Sequence, residues 1–164
     1  MLLSLSELND LLSNCIIDAP LYVTDCQLFM QVLQVTGCRP MELFDSSLWS
    51  VVSGSTVSLQ PLKHNATRSF QLASLPSKFG EWLVASHPLF PLSTYRNQSF
   101  AWKKVVKLYP VMCLGKACDL YLYRHAFIKN LAADGKTIRE IMAITGHRSP
   151  SIVSGYVNSV LYYE

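Results

Sequence analysis

Hydrophobic positions along the chain repeat with two different periods, and the change of period marks out its elements. Between Leu21 and Thr36 the residues Leu28, Phe29, Val32, Leu33 and Val35 keep helical spacing, and Gly37 follows as a stop. Ser4-Leu5-Ser6-Glu7, ahead of Leu8, Leu11 and Leu12, predicts a short first helix with a capping serine. Pro40 favours the first turn of another short helix through Phe44, which would hold the side chains of Arg39 and Glu42 near one another. The period then shortens. Three β-prone runs, Leu48 to Val52, Thr56 to Leu62 and Arg68 to Leu72, are separated by Ser53-Gly54-Ser55 and His64-Asn65-Ala66, which predicts a small antiparallel sheet with Lys63 at the tip of its second hairpin. Helical spacing returns at Lys78 and runs through Phe79 to Ser86, Tyr95 to Tyr109 and Lys116 to Ala133, with Pro88, Pro91 and Pro110 in the connections. Asp134-Gly135-Lys136 reads as a turn, Thr137 caps a helix from Ile138 to Ile144, and Gly146 ends it. The expected fold class is mainly α with a small antiparallel β-sheet (α+β), without internal repeats or low-complexity segments.

A chain of 164 residues is the size of one domain with a substantial core. Its formal charge of +3 is too mild to announce a nucleic-acid binder by itself. Position matters more. Between Asp45 and Asp119 the only acidic residue is Glu81, while Lys63, Arg68, Lys78, Arg96, Lys103, Lys104, Lys107 and Lys116 lie in that stretch. Such a run is either a solvated face or a phosphate-facing surface. The five cysteines form no CxxC pair, and Cys113 and Cys118 lack histidines at zinc-ligand spacing, so the expectation is reduced, buried thiols in a cytoplasmic protein. The start Met1-Leu2-Leu3 has no basic leader and soon meets Glu7 and Asp10, which argues against a signal peptide. No apolar run approaches the roughly 20 residues of a membrane span, so no membrane association is expected.

Candidate chemistry comes from scattered residues rather than from one motif. Singly, Arg39 reads as a surface or capping arginine, His125 and His147 as structural histidines, and Tyr156 as a core aromatic. Their joint order is what carries weight. Arg124-His125-Ala126-Phe127, Ile144-Thr145-Gly146-His147 and Tyr156 resemble the signature of the tyrosine recombinases, the DNA strand transferases that include phage integrases and Xer-type resolvases. Thr36-Gly37-Cys38-Arg39-Pro40-Met41-Glu42-Leu43 is similar to that family's first arginine motif. His147 follows Arg124 by twenty-three residues and precedes Tyr156 by nine, Lys63 follows Arg39 by twenty-four, and the resemblance extends from about residue 4 to residue 160.

The resemblance implies site-specific recombination of double-stranded DNA by strand cleavage and rejoining. Tyr156 would attack the phosphodiester to give a 3′-phosphotyrosyl linkage, so that the strand reseals to a new partner without ATP. The pentacovalent transition state concentrates negative charge on its non-bridging oxygens, and two permanently charged, fork-shaped guanidiniums, Arg39 and Arg124, suit it. His147 would bond a phosphate oxygen or take the tyrosine proton, and Lys63 would protonate the leaving 5′-oxygen. Glu42 matches the family's buttressing acidic residue and His125 the position after the second arginine. One position departs from the pattern: Tyr121 stands where the family usually has histidine, as a phosphate donor or a rival nucleophile. No cluster of Asp and Glu resembles a magnesium site, so metal-free chemistry with no cofactor is expected.

By the same resemblance residues 1–164 are a catalytic domain without the family's N-terminal core-binding domain, with only Val157 to Glu164 after the nucleophile. Charged residues make up 15% of the chain against roughly 25% in an average domain, which fits apolar surface covered by such a domain or by a neighbouring protomer in a dimer or tetramer on DNA. The alternatives are a telomere resolvase making hairpin DNA ends, a catalytically silent DNA-binding domain, and an unrelated α+β scaffold.

Overall fold

A computed structural model describes residues 23–63, 65–108 and 122–158, together with Asp10. Of the helix expected near residues 4–12 only Asp10 is described, and the segment 116–121 lies outside the described residues.

The first described helix, α1 (Val23–Thr36), buries Leu28, Phe29, Val32 and Leu33. Val35 is exposed instead, because the 3.6-residue stripe passes from Val32 and Leu33 to Thr36 and leaves Val35 on the other side. Gly37, at φ +60°, donates its amide to the Leu33 carbonyl and ends the helix. A side chain there would run into the Phe127 ring, so this turn is both left-handed and closely packed. Pro40–Phe44 then forms a short 3-10 helix, tied to the next strand by the Trp49 indole, which donates to the Glu42 carbonyl at 2.8 Å.

The sheet has three antiparallel strands in the order β1 (Trp49–Val52), β2 (Thr56–Leu59) and β3 (Arg68–Gln71). Trp49 pairs with Leu59, and Leu59 pairs with Arg68, so the β2–β3 connection opens at the end of the sheet where Trp49 and Arg68 lie. Beyond the sheet come α2 (Ser77–Val84), α3 (Leu92–Leu108), α4 (Leu122–Ala133), α5 (Ile138–Thr145) and α6 (Pro150–Asn158). Thr137 caps α5 by accepting from the Glu140 amide while the Glu140 carboxylate accepts from the Thr137 amide. Helix α6 is an element the apolar spacing alone does not announce; Pro150 at its first turn is the local signal for it.

Two hydrophobic clusters result. The larger joins α1, the sheet, α2 and the Leu89-Phe90 segment, with Phe29 edge-on to Phe90 at 5.1 Å and Trp49 edge-on to Phe79 at 5.3 Å. The smaller is made by α4, α5 and α6 around Ile128, Ile141 and Val153. Helix α4 belongs to both, since its Leu122 and Tyr123 enter the first and Ile128 the second. Arg124 sits at the seam. Cys26 and Cys38 are buried thiols, and burial pushes Cys38 up to about 12. Among the described residues no helix is long and apolar enough to cross a membrane.

Candidate active site

Four helix ends and one strand meet at the seam between the two clusters. Arg39, just after the Gly37 turn, is 8% exposed and pairs with the carboxylate of Glu42 at 3.5 Å. The same Glu42 oxygen accepts the Arg39 backbone amide at 2.9 Å, so the carboxylate fixes both the turn and the guanidinium it carries. With its carboxamide oxygen facing the guanidinium, Asn65 accepts from Nη1 and Nη2 of Arg39 at 3.3 and 3.1 Å. Asn65 belongs to the β2–β3 connection, which docks on the α5–α6 turn where Ala66 donates its amide to the Gly146 carbonyl at 2.8 Å.

Arg124, 1% exposed, is anchored by Nη1 donating to the Gly37 carbonyl at 2.9 Å, and its Nη2 lies 3.0 Å from Nε2 of His147. Guanidinium nitrogens only donate, so Nε2 accepts, which makes His147 the neutral tautomer with its proton on Nδ1. That proton is donated to Thr145 Oγ1 at 2.6 Å, and the Thr145 hydroxyl donates in turn to the Ile141 carbonyl at 2.9 Å. The charge distribution agrees: burial first, then Arg124, Arg39 and Arg68, pull the His147 imidazole down from 6.5 to about 4. Burial and the Arg39 charge also lower Arg124, while the hydrogen bond it shares with Tyr156 works the other way.

Tyr156 reaches this group from α6. Its ring lies edge-on to His125 at 4.4 Å and tilted against His147 at 5.6 Å between centroids. Arg39, Glu42, Arg124, His125, His147 and Tyr156 are therefore one cluster, although the chain spreads them over most of its length. Lys63 does not join it. It is exposed on the β2–β3 connection, with a left-handed φ of +55°, and makes no side-chain contact with the cluster among the described residues. Tyr121 lies outside the described residues, and its neighbour Tyr123 is a core residue, 1% exposed, whose phenol burial pushes far upward.

Three participants escape the sequence reading. Asn65, a polar residue in a turn, carries no signal in one sequence, and Thr145, the last residue of α5, enters it only as part of the Ile144-Thr145-Gly146-His147 motif, with no role of its own. Arg68 does carry a signal: it shares the inward face of β3 with Phe70, so the alternation that turns Phe70 inward turns Arg68 inward too. Counting it with the basic stretch as surface charge is corrected by its 2% exposure. Among the described residues three buried guanidiniums face one buried carboxylate, an excess of positive charge suited to an anion with several acceptor oxygens. Among the described residues no three His, Cys, Asp or Glu side chains gather at metal-ligand spacing.

No protein-family model and no curated protein sequence matches the chain. Solved structures do. XerA recombinase matches over 98% of this chain and 61% of its own, with 21% identity and a TM-score of 0.58. XerH site-specific recombinase bound to its difH substrate in a pre-cleavage complex matches over 96% of this chain and 50% of its own, at 12% identity and TM-score 0.57. The Tn1549 transposon integrase in complex with transposon right end DNA matches over 98% and 62%, at 16% identity and TM-score 0.57. The chain spans about half to three-fifths of the length of these proteins. At such identities the likeness establishes architecture: the chain has the fold of the tyrosine recombinase catalytic domain.

Proposed function

We propose that this chain is the catalytic domain of a tyrosine recombinase that cleaves and rejoins double-stranded DNA at a specific site through Tyr156. The observation that carries the reading is the convergence of Arg39, Arg124, His147 and Tyr156 from separate elements onto one buried, positively charged seam. Its fold-level likeness to recombinases, two of them described with bound DNA, supports the choice of DNA as substrate.

In the proposed step the Tyr156 oxygen attacks phosphorus, the bond to the 5′-oxygen breaks, and a 3′-phosphotyrosyl bond forms. Arg39 and Arg124 bind the non-bridging oxygens, where charge grows most. His147 in its present tautomer has a lone pair on Nε2, so it receives the phenol proton and, once charged, donates to the phosphate. Glu42 holds Arg39, and His125 fixes the Tyr156 ring by edge-on packing. Lys63 protonates the departing 5′-oxygen when DNA draws the β2–β3 connection inward, and Tyr121 adds a donor to the phosphate. The chemistry proceeds without a metal, and assembly on DNA is by a dimer or tetramer.

The test is covalent capture. Incubated with a library of nicked duplexes, the chain should form a denaturation-resistant adduct with DNA that Tyr156→Phe abolishes. An adduct that survives Tyr156→Phe and disappears with Tyr121→Phe refutes the nucleophile. DNA retention with no adduct selects the silent DNA-binding domain, and hairpin-ended products select the telomere resolvase.

A further inference from the structure

Arg68 and Arg124 are the two fully buried arginines among the described residues, and the place of Arg68 is unlike that of Arg124 or Arg39. Its Nε donates to the Ile144 carbonyl at 3.0 Å, and its Nη2 donates to the Thr36 carbonyl. Thr36 ends α1 three residues before Arg39; Ile144 lies in the last turn of α5 three residues before His147. Carbonyls at helix C-termini lack partners within the helix and carry partial negative charge, so a cation that donates to both is well placed. What is unusual is that one rigid, planar group serves two helices at once. Its fork sets the distance between the turn that carries Arg39 and the turn that carries His147.

Stability alone is a weak reason for this arrangement. Gly37 and Gly146 already close their helices by donating to the Leu33 and Met142 carbonyls. The Arg68 Nη1 is buried with no hydrogen-bond partner among the described residues, and a buried, partly satisfied charge is costlier than a well-packed apolar side chain. Phe70 and Phe127 rings flank the guanidinium at 4.8 and 5.8 Å, which further restricts its orientation.

We infer that Arg68 is a positioning residue that ties the Arg39 turn to the His147 turn and holds the two phosphate-facing groups in register. The inference rests on the proposed strand-transfer reading. Burial lowers the Arg68 guanidinium only to about 10, so it remains a cation at neutral pH.

The test uses Arg68→Lys, which keeps a charge but reaches one carbonyl at a time, and Arg68→Met, which keeps length and removes the charge. Single-turnover adduct formation should fall roughly 10²-fold in both, the scale of a small misplacement of reacting groups, with DNA affinity at fixed salt little changed. In the chain without DNA, the imidazole titration of His147 followed by NMR should move upward from about 4 in Arg68→Lys, which keeps the charge, as the loosened turn lets water in; in Arg68→Met the lost charge alone raises it, so the lysine variant carries this readout. The groups facing that imidazole are Arg124 and Tyr156, with Arg39 and Arg68 acting at longer range.

A wild-type rate in Arg68→Lys overturns the inference. So does a rate loss matched by equal loss of affinity, or a collapse of thermal stability in both variants that accounts for the lost activity. If the wild-type chain forms no adduct, the strand-transfer reading fails instead; an unmoved His147 titration in Arg68→Lys then refutes the positioning role on its own, and an upward shift in that variant supports it.

Discussion

Replacing Gly146 by alanine separates the cost of a left-handed residue from the cost of a close approach, because the chain contains its own control. Gly146 and Gly54 share a φ of +77°. A Cβ on Gly54 would meet nothing within 4 Å, whereas one on Gly146 would lie 2.4 Å from the Ala66 carbonyl oxygen and 3.3 Å from Cγ of Arg68. Gly54→Ala should therefore cost only left-handed strain, about 1 kcal/mol. Gly146→Ala carries the same strain and must also push away the β2–β3 connection, breaking the Ala66 to Gly146 hydrogen bond, worth about 1 kcal/mol, and disturbing Arg68. A total of about 3 kcal/mol is expected. The assay is urea unfolding at pH 7, where the difference between the variants appears as a shift in midpoint at constant slope. If the two variants lose the same stability to within about 0.5 kcal/mol, the docking of that connection on the His147 turn is not what the geometry indicates.

Three further outcomes are expected. Arg124→Lys should cut adduct formation by about 10²-fold or more with DNA affinity nearly kept, since a point charge cannot serve Gly37, His147 and a phosphate together; equal losses in rate and affinity would indicate a binding role. His147 titrates at about 4 folded against 6.5 unfolded, so between these values the unfolded chain holds the extra proton: its contribution is complete above pH 6.5 and is lost as pH falls through 4, by at most about 3 kcal/mol. Urea midpoints from pH 7 to 4 should accordingly fall less steeply for His147→Gln than for the natural chain, and parallel curves would contradict the depressed imidazole. For Lys63→Ala, a 5′-bridging phosphorothiolate, whose sulfur departs without a proton, should restore cleavage, and should help Arg124→Ala far less; no selective rescue would move the acid role to another residue.

What could be read from the sequence divides along physical lines. Apolar spacing locates α1 because Leu28, Phe29, Val32 and Leu33 are local to one helix face, and Thr137 marks the start of α5 because a cap acts within one turn; the Glu140 carboxylate that completes the capping box is added by the structure. The two hairpins followed from turn residues between β-prone runs. Helix α6 was missed where the pattern was read as ending at Gly146, although Pro150 marks its first turn. The cluster itself could be assembled only through the family resemblance, since nothing local says that Arg39, Arg124 and Tyr156 meet. The burial of Arg68 and the carboxamide of Asn65 against Arg39 depend on how the β2–β3 connection docks on the α5–α6 turn, a tertiary contact with no local signature. Lys63 shows the converse: its spacing fits the family, yet it is exposed outside the cluster.

The charge excess at the seam gives the proposed reaction a direction. Arg39, Arg68 and Arg124 are opposed by Glu42 alone among the described residues, and burial, together with their combined field, holds His147 neutral with its Nε2 lone pair accepting from Arg124. A phosphodiester bound on this reading brings the negative charge that the arginines lack and accepts the donors of Arg124 that now hold Nε2. Both changes favour a proton on the imidazole: the released lone pair can accept one, and the phosphate offsets the cations that opposed it. In the proposed step the anion to be attacked would thereby convert His147 from a residue that resists protonation into one able to take the Tyr156 proton. On this reading cleavage competence depends on the presence of the phosphate, and Tyr156, packed against His125 and His147, loses its proton to the imidazole only when that phosphate is bound.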